Sequence, residues 1–96
     1  MMVLILQRVP KTVRGELTRW LIEPRPGVFV GSVSAMVRDR LWERCCRQAG
    51  GRGGVLLIWT TNTEQGFDLR SYGNLDRDVV DYEGLKLIRR PSRSKE

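Results

Sequence analysis

The chemistry open to this chain is that of the guanidinium group. Of its 17 basic residues only Lys11, Lys86 and Lys95 are lysines, and the formal net charge is +6 against 11 acids. Arginine presents a rigid planar fork of donors that grips a phosphate or carboxylate bidentately, where lysine offers a hydrated point charge. A polyanion, nucleic acid above all, suits such a surface; a merely solvated basic surface is the plainer alternative. Other reactive side chains are sparse. The chain has no histidine, so imidazole acid–base chemistry and histidine metal ligands are unavailable. Cys45 and Cys46 are adjacent and are the only cysteines. That excludes a disulfide framework and a cysteine-rich zinc site, and it fits a reducing cytoplasm. A reactive thiol would want a base beside it, so both cysteines read as small core or boundary residues. The acids Glu16, Glu64, Asp68, Asp76, Asp78 and Asp81 form no tight pair in sequence and read as charge balancing nearby arginines. The run Gly50-Gly51-Arg52-Gly53-Gly54 has the composition of a phosphate cradle. It precedes a strand, however, and lacks the Gly-Lys-Ser/Thr ending and following helix, so it reads as a helix stop and flexible connector.

Ninety-six residues make one domain with a thin core. A hydrophobic share of 41% with 29% charged residues is that of a globular protein, not of a disordered tail. A core this small is often supplemented by association, so a homodimer is expected. The apolar run Met1–Leu6 is too short, and lacks the basic flank, for a signal peptide. No segment approaches the roughly 18 apolar residues of a membrane span. A soluble cytoplasmic protein is the expectation.

The elements that must position the arginines follow from pattern. Met1 to Gln7, rich in Val, Leu and Ile, reads as a buried strand at a sheet centre, stopped by Pro10. Thr12 is placed to cap a helix whose apolar stripe is Val13, Leu17, Trp20 and Leu21. Pro24 and Pro26 end that helix, and Gly27 releases the chain into the strand Val28-Phe29-Val30. Ser34 caps a second helix to Ala49 with Val37, Leu41, Cys45 and Ala49 inward. Val55 to Thr60 and Phe67 to Tyr72 form a hairpin around Asn62–Gly66, and a loop carrying Asn74, Asp76, Arg77 and Asp78 leads to a last strand near Leu85 to Ile88. The order β-α-β-α-β-β, with an added C-terminal strand, predicts an α+β sandwich. Two helices on one face of a small mixed sheet most commonly make a ferredoxin-like plait. That domain spans residues 1–90, and 91–96 form a basic, mobile tail.

Several runs carry a resemblance. Trp20-Leu21-Ile22-Glu23, Gly27-Val28-Phe29-Val30-Gly31, Val33-Ser34-Ala35, Leu41-Trp42-Glu43 and Thr61-Asn62-Thr63-Glu64, with the Val9-Pro10 opening and Val80-Asp81-Tyr82-Glu83-Gly84-Leu85, stand in one order without an obvious gap. From Met2 to Ile88 the chain resembles CRISPR-associated protein 2 of the type I-E systems. The resemblance implies a ferredoxin-like homodimer that bridges dimers of the integrase subunit while new spacers are captured from invading DNA. It implies duplex contact through basic residues after the first strand and before the last. By position these are Arg14 and Arg77, with Arg8 and Lys11 near the end of the first strand as further candidates. Thr12 and Asp76 stand where the pattern would offer more arginines. It also implies that Asp81 through Arg90 dock on the integrase, with Asp81, Tyr82, Leu85, Leu87 and Ile88 as the partner-binding set.

Many relatives of this family are described as metal-dependent nucleases, which gives the resemblance a second implication. There, an acid at the end of the first strand pairs across the two-fold axis to hold Mg²⁺, through hard oxygen ligands that orient metal and water. The matching position here is Gln7, an uncharged amide. The expected role is therefore duplex binding through the DNA backbone, with no catalytic residue and no metal. The alternative is a Mg²⁺-dependent endonuclease acting on RNA or DNA. A third class, a single-strand RNA module, would stack bases on Trp59, Phe67, Phe29 and Tyr72, but core packing accounts for those rings.

Overall fold

Strand β1, Met2–Gln7, pairs antiparallel with β3, Val28–Gly31, on one side and with β4, Gly54–Thr60, on the other. These pairings come from a computed structural model that describes the backbone of residues 1–75, 78–82 and 85–89 and the side chains of 1–75 and 86–88. Strand β2, Ile22–Arg25, adds to the outer edge of β3, and β5, Phe67–Gly73, adds to β4, giving the order β2-β3-β1-β4-β5. Every pairing in this sheet is antiparallel. The mixed sheet expected from the sequence is thus corrected. Because the β2–β3 hairpin places β3 between β1 and β2, each helical crossover joins strands that are not neighbours. The element order β-α-β-β-α-β with that strand order is the ferredoxin-like plait, extended by β5. Strands β6, Asp78–Tyr82, and β7, Leu85–Arg89, form a separate two-stranded sheet.

The first helix is much shorter than its apolar stripe suggests. A 3-10 turn at Lys11–Val13 runs into α1, Arg14–Leu17, and Thr12 lies inside the turn with no side-chain cap; Pro10 stands at the cap position. Gly15 weakens this helix by about 1 kcal/mol relative to alanine. Ile22 to Arg25, in turn, gain a ladder against β3, pairing Ile22 with Val30 and Arg25 with Val28. Four residues on β2 thus stand opposite three on β3, an irregularity that accommodates Pro24 on an edge strand where its missing N–H costs no central rung. Val13, Leu17 and Leu21 are buried as their spacing predicts, but Trp20 is 52% exposed. Its assignment to the core is corrected, because the chain leaves the helix after Leu17 and the stripe no longer points one way.

Helix α2, Ala35–Ala49, agrees with its reading. Ser34 accepts from the Val37 N–H at 3.2 Å, and Leu41, Cys45 and Ala49 are buried. They close over Met2 and Leu4 of β1, Phe29 of β3, and Val55 and Leu57 of β4, which alternate onto the same face of the sheet. The alternate residues Val3, Ile5, Val28, Val30 and Ile58 line the opposite face, are half-buried, and adjoin one another through the strand register.

The β2–β3 turn depends on Gly27, whose φ is 82° and whose carbonyl accepts from the Leu6 N–H at 2.8 Å. Pro26 followed by glycine at positive φ is the order of a type II turn. A Cβ on Gly27 would stand 2.8 Å from the Leu6 carbonyl oxygen, whereas one on Gly15 would meet nothing within 4 Å. Gly27→Ala is expected to cost about 2 kcal/mol or more and Gly15→Ala to gain about 0.5–1 kcal/mol. Urea unfolding midpoints of the two variants against wild type check both signs.

Candidate nucleic-acid interface

At the end of β1 the chain must turn out of the sheet centre, and Arg8 takes the left-handed conformation, φ 55°, to do so. A non-glycine residue there costs energy, and its own side chain supplies the compensation. Arg8 donates from Nε to the Arg52 carbonyl at 3.2 Å and from Nη2 to the Asn74 carbonyl at 2.8 Å. Its guanidinium therefore ties three segments: the end of β1, the glycine-rich loop, and the exit of β5. The loop is a helix stop, as its composition predicts, but the expectation of a flexible connector is corrected. Gly53 and Gly54 are buried, and a Cβ on Gly53 would stand 2.8 Å from the Arg8 carbonyl oxygen.

Beyond Arg8, the 3-10 turn and α1 present Lys11 and Arg14. Arg14 Nε lies 3.1 Å from Glu23 Oε2, and the same oxygen accepts from the Gly27 N–H at 3.0 Å. Lys11 is exposed and makes no ion pair among the described residues. Arg8, Lys11 and Arg14 line one cleft of about 230 Å³ together with the apolar Leu6, Val13 and Phe29. That volume is below the roughly 300–1,000 Å³ of pockets that enclose whole small-molecule ligands. Of the four basic residues singled out from sequence, the fold gathers these three. Arg77 lies outside the described residues; Asn74, three positions earlier in sequence, is held by Arg8.

A family model described as CRISPR-associated protein (Cas_Cas2CT1978) matches residues 1–87. The chain belongs to this CRISPR-associated, Cas2-like family.

In this Cas2-like chain the position suggested for a metal-holding acid does not suit a divalent cation. Gln7 pairs with Gly54 at the end of β1, on the same open face as Val3 and Ile5, and offers a neutral amide beside the cationic Arg8. Among the described residues no group of three or more His, Cys, Asp or Glu side chains could hold a metal ion. Glu16 and Asp68 do balance basic neighbours, as expected: Glu16 pairs with Arg44 at 3.0 Å and Asp68 with Lys86 at 2.9 Å. The Lys86 hydrogen bond, helped by the Leu69 N–H, holds the Asp68 carboxyl below its usual range.

At the other proposed contact, Leu87 and Ile88 of β7 are exposed, while the side chains of Asp81, Tyr82 and Leu85 lie outside the described set, as does the tail 91–96. The Gln65 amide fixes β7, donating to the Lys86 carbonyl at 2.7 Å and accepting from its N–H at 2.9 Å. The aromatic candidates divide. Phe29 is fully buried, and Trp59 packs on the core beneath Arg38 and Arg70, 4.6 and 5.5 Å from the ring centroid. Phe67 and Tyr72 are exposed, against the core assignment, because β5 is an edge strand. They fall on opposite faces of β5 and so offer no common stacking platform.

Sequence reasoning missed strand β6, whose first residue, Asp78, it placed in a loop, and strand β2, and with β2 the role of Glu23. An acid four positions before the turn glycine was a usable signal for Glu23; the Arg52 and Asn74 carbonyls that engage Arg8 have none. Arg8→Ala is expected to lower stability by about 1–3 kcal/mol in urea unfolding, since two carbonyls lose a charged donor and a left-handed residue loses its tether.

Burial pushes the Cys45 thiol up to about 12, with Cys46 and Glu16 adding to it, and pushes Cys46 up to about 11 against an opposing pull from Arg70. The folded state keeps both thiols neutral while the unfolded chain ionises near 9.0. Their contribution to stability is thus complete below that pH and is lost as pH climbs through the folded values. At pH 8 both thiols should resist a thiol-specific disulfide reagent in the native protein and react fully in urea. Release of the coloured thiolate leaving group measures it.

Proposed function

We propose that this protein is a spacer-acquisition subunit of CRISPR antiviral defence. In this reading it is a cytoplasmic homodimer that holds duplex DNA by its backbone and bridges integrase subunits. The observation that carries the reading is that Arg8, Lys11 and Arg14 line one and the same cleft. Backbone contact by cations is blind to sequence, which capture of arbitrary invader DNA requires. Within the cleft the roles differ. Arg8 is engaged by two carbonyls and shapes the site, Lys11 supplies a charge with no ion pair among the described residues, and Arg14 reaches the ligand with the guanidinium nitrogens that Glu23 leaves open. Arg77 is the fourth contact by resemblance.

The open sheet face supports the dimer. Val3, Ile5, Val28, Val30 and Ile58 make a contiguous apolar patch of the kind that two sheets bury when stacked. Gln7 borders that patch, so the two copies would bring neutral amides, not carboxylates, toward the two-fold axis. In the same reading residues 1–90 act as one domain, and Leu87 and Ile88, with Asp81, Tyr82 and Leu85, form the integrase contact. No helix among the described residues is long and apolar enough to cross a membrane.

Salt dependence of duplex binding tests the reading. The log–log plot of affinity against salt should be steep for wild type. It should flatten by roughly 0.9 for each phosphate that Lys11→Ala, Arg14→Ala or Arg77→Ala leaves without its cation. An unchanged slope in the triple variant would place the contact surface elsewhere. Mg²⁺-dependent cleavage of duplex DNA or RNA that disappears in Gln7→Ala would favour the endonuclease instead.

A further inference from the structure

Glu23 is the acid paired with Arg14, one of the residues that line the cationic cleft. Its side chain is only 17% exposed, and its Oε2 accepts both the Gly27 N–H at 3.0 Å and Arg14 Nε at 3.1 Å. The first bond holds the β2–β3 turn. The second uses one of the five guanidinium donors, on a side chain that is 41% exposed, and leaves the four of the terminal nitrogens for other acceptors.

We propose that Glu23 is an internal competitor for Arg14 that sets how tightly the cleft holds a phosphate. The inference rests on the reading of this cleft as a backbone-phosphate contact. A phosphate that reaches the terminal nitrogens of Arg14 must share that cation with a carboxylate already bonded to it, and the two anions repel at short range. Arg8 does not face this competition, because its partners are neutral carbonyls. Glu23 thus subtracts from the attraction of the one cleft arginine whose donors remain partly open. The opposite role, in which Glu23 merely aims Arg14, predicts the opposite sign.

Glu23→Gln separates the two. A glutamine oxygen still accepts from Gly27 N–H and from Arg14 Nε, so the turn and the orientation persist while the charge is lost. Binding of the full-length protein to a fluorescent mixed-sequence DNA duplex is measured by anisotropy for wild type, Glu23→Gln, Arg14→Ala and the double variant, with thermal melts to confirm folding. Expected is a roughly three- to tenfold tighter dissociation constant for Glu23→Gln at low salt. That gain should fade toward roughly 1 M salt as the Debye length falls to about 3 Å, and it should be absent when Arg14 is alanine. Unchanged or weaker binding in a folded Glu23→Gln, with Arg14→Ala still weakening the wild type, overturns the competitor role and leaves the cleft reading intact. A tightening that persists without Arg14 overturns it too, because the charge then acts on something else. If Arg14→Ala alters binding in neither background, the cleft reading itself fails and the competitor role falls with it.

Discussion

Strand β1 is hydrogen-bonded along both edges, to β3 and to β4, with one face under the helices and the other open, and the placement of every candidate group follows from that confinement. A strand paired on both sides has no freedom to slip, since a shift of one residue would send Leu4 out of the core and Ile5 into it. Its end is therefore a fixed point. Gln7 is held on the open face, Arg8 is forced into a left-handed turn, and the 3-10 turn that follows must present Lys11 and Arg14 beside the β2–β3 hairpin.

The same confinement sorts the arginines by what they can do. Arg8 is the nearest to the strand and is consumed in holding the glycine-rich loop and the exit of β5. Arg14 is one step further out and is half-engaged, by Glu23. Lys11, on the exposed turn, is the least constrained of the three. Formal charge alone ranks these residues equally; their hydrogen-bond partners do not. The apolar Leu6, Val13 and Phe29 exclude water from one side of the cations beside them, which strengthens the field of those cations.

Much of the fold was legible in the sequence because its strongest patterns coincide with its strongest packing. The run Met2–Gln7, the Ser34 cap with the Leu41-Cys45-Ala49 stripe, and the β4–β5 hairpin all form as their patterns predict. The misplaced helix end and the missed strand β2 lie between Thr12 and Gly27. There a helical stripe and an edge strand compete for the same residues, and the ladder with β3 wins over local propensity. Trp20 fits the stripe but not the strand, which is why it ends exposed.

The sequence by itself determined the charge balance of the chain, the family to which residues 1–87 belong, and the neutral amide of Gln7 at the end of the first strand. Those properties reside in residue identity and order. Only the tertiary structure decided that Arg8, Lys11 and Arg14 share a cleft, that Arg8 is already committed to two carbonyls, and that Glu23 stands against Arg14. The physical reason is that backbone carbonyls carry no sequence signature, and the groups of β1, β2 and the distant Asn74 become neighbours only when the sheet orders them.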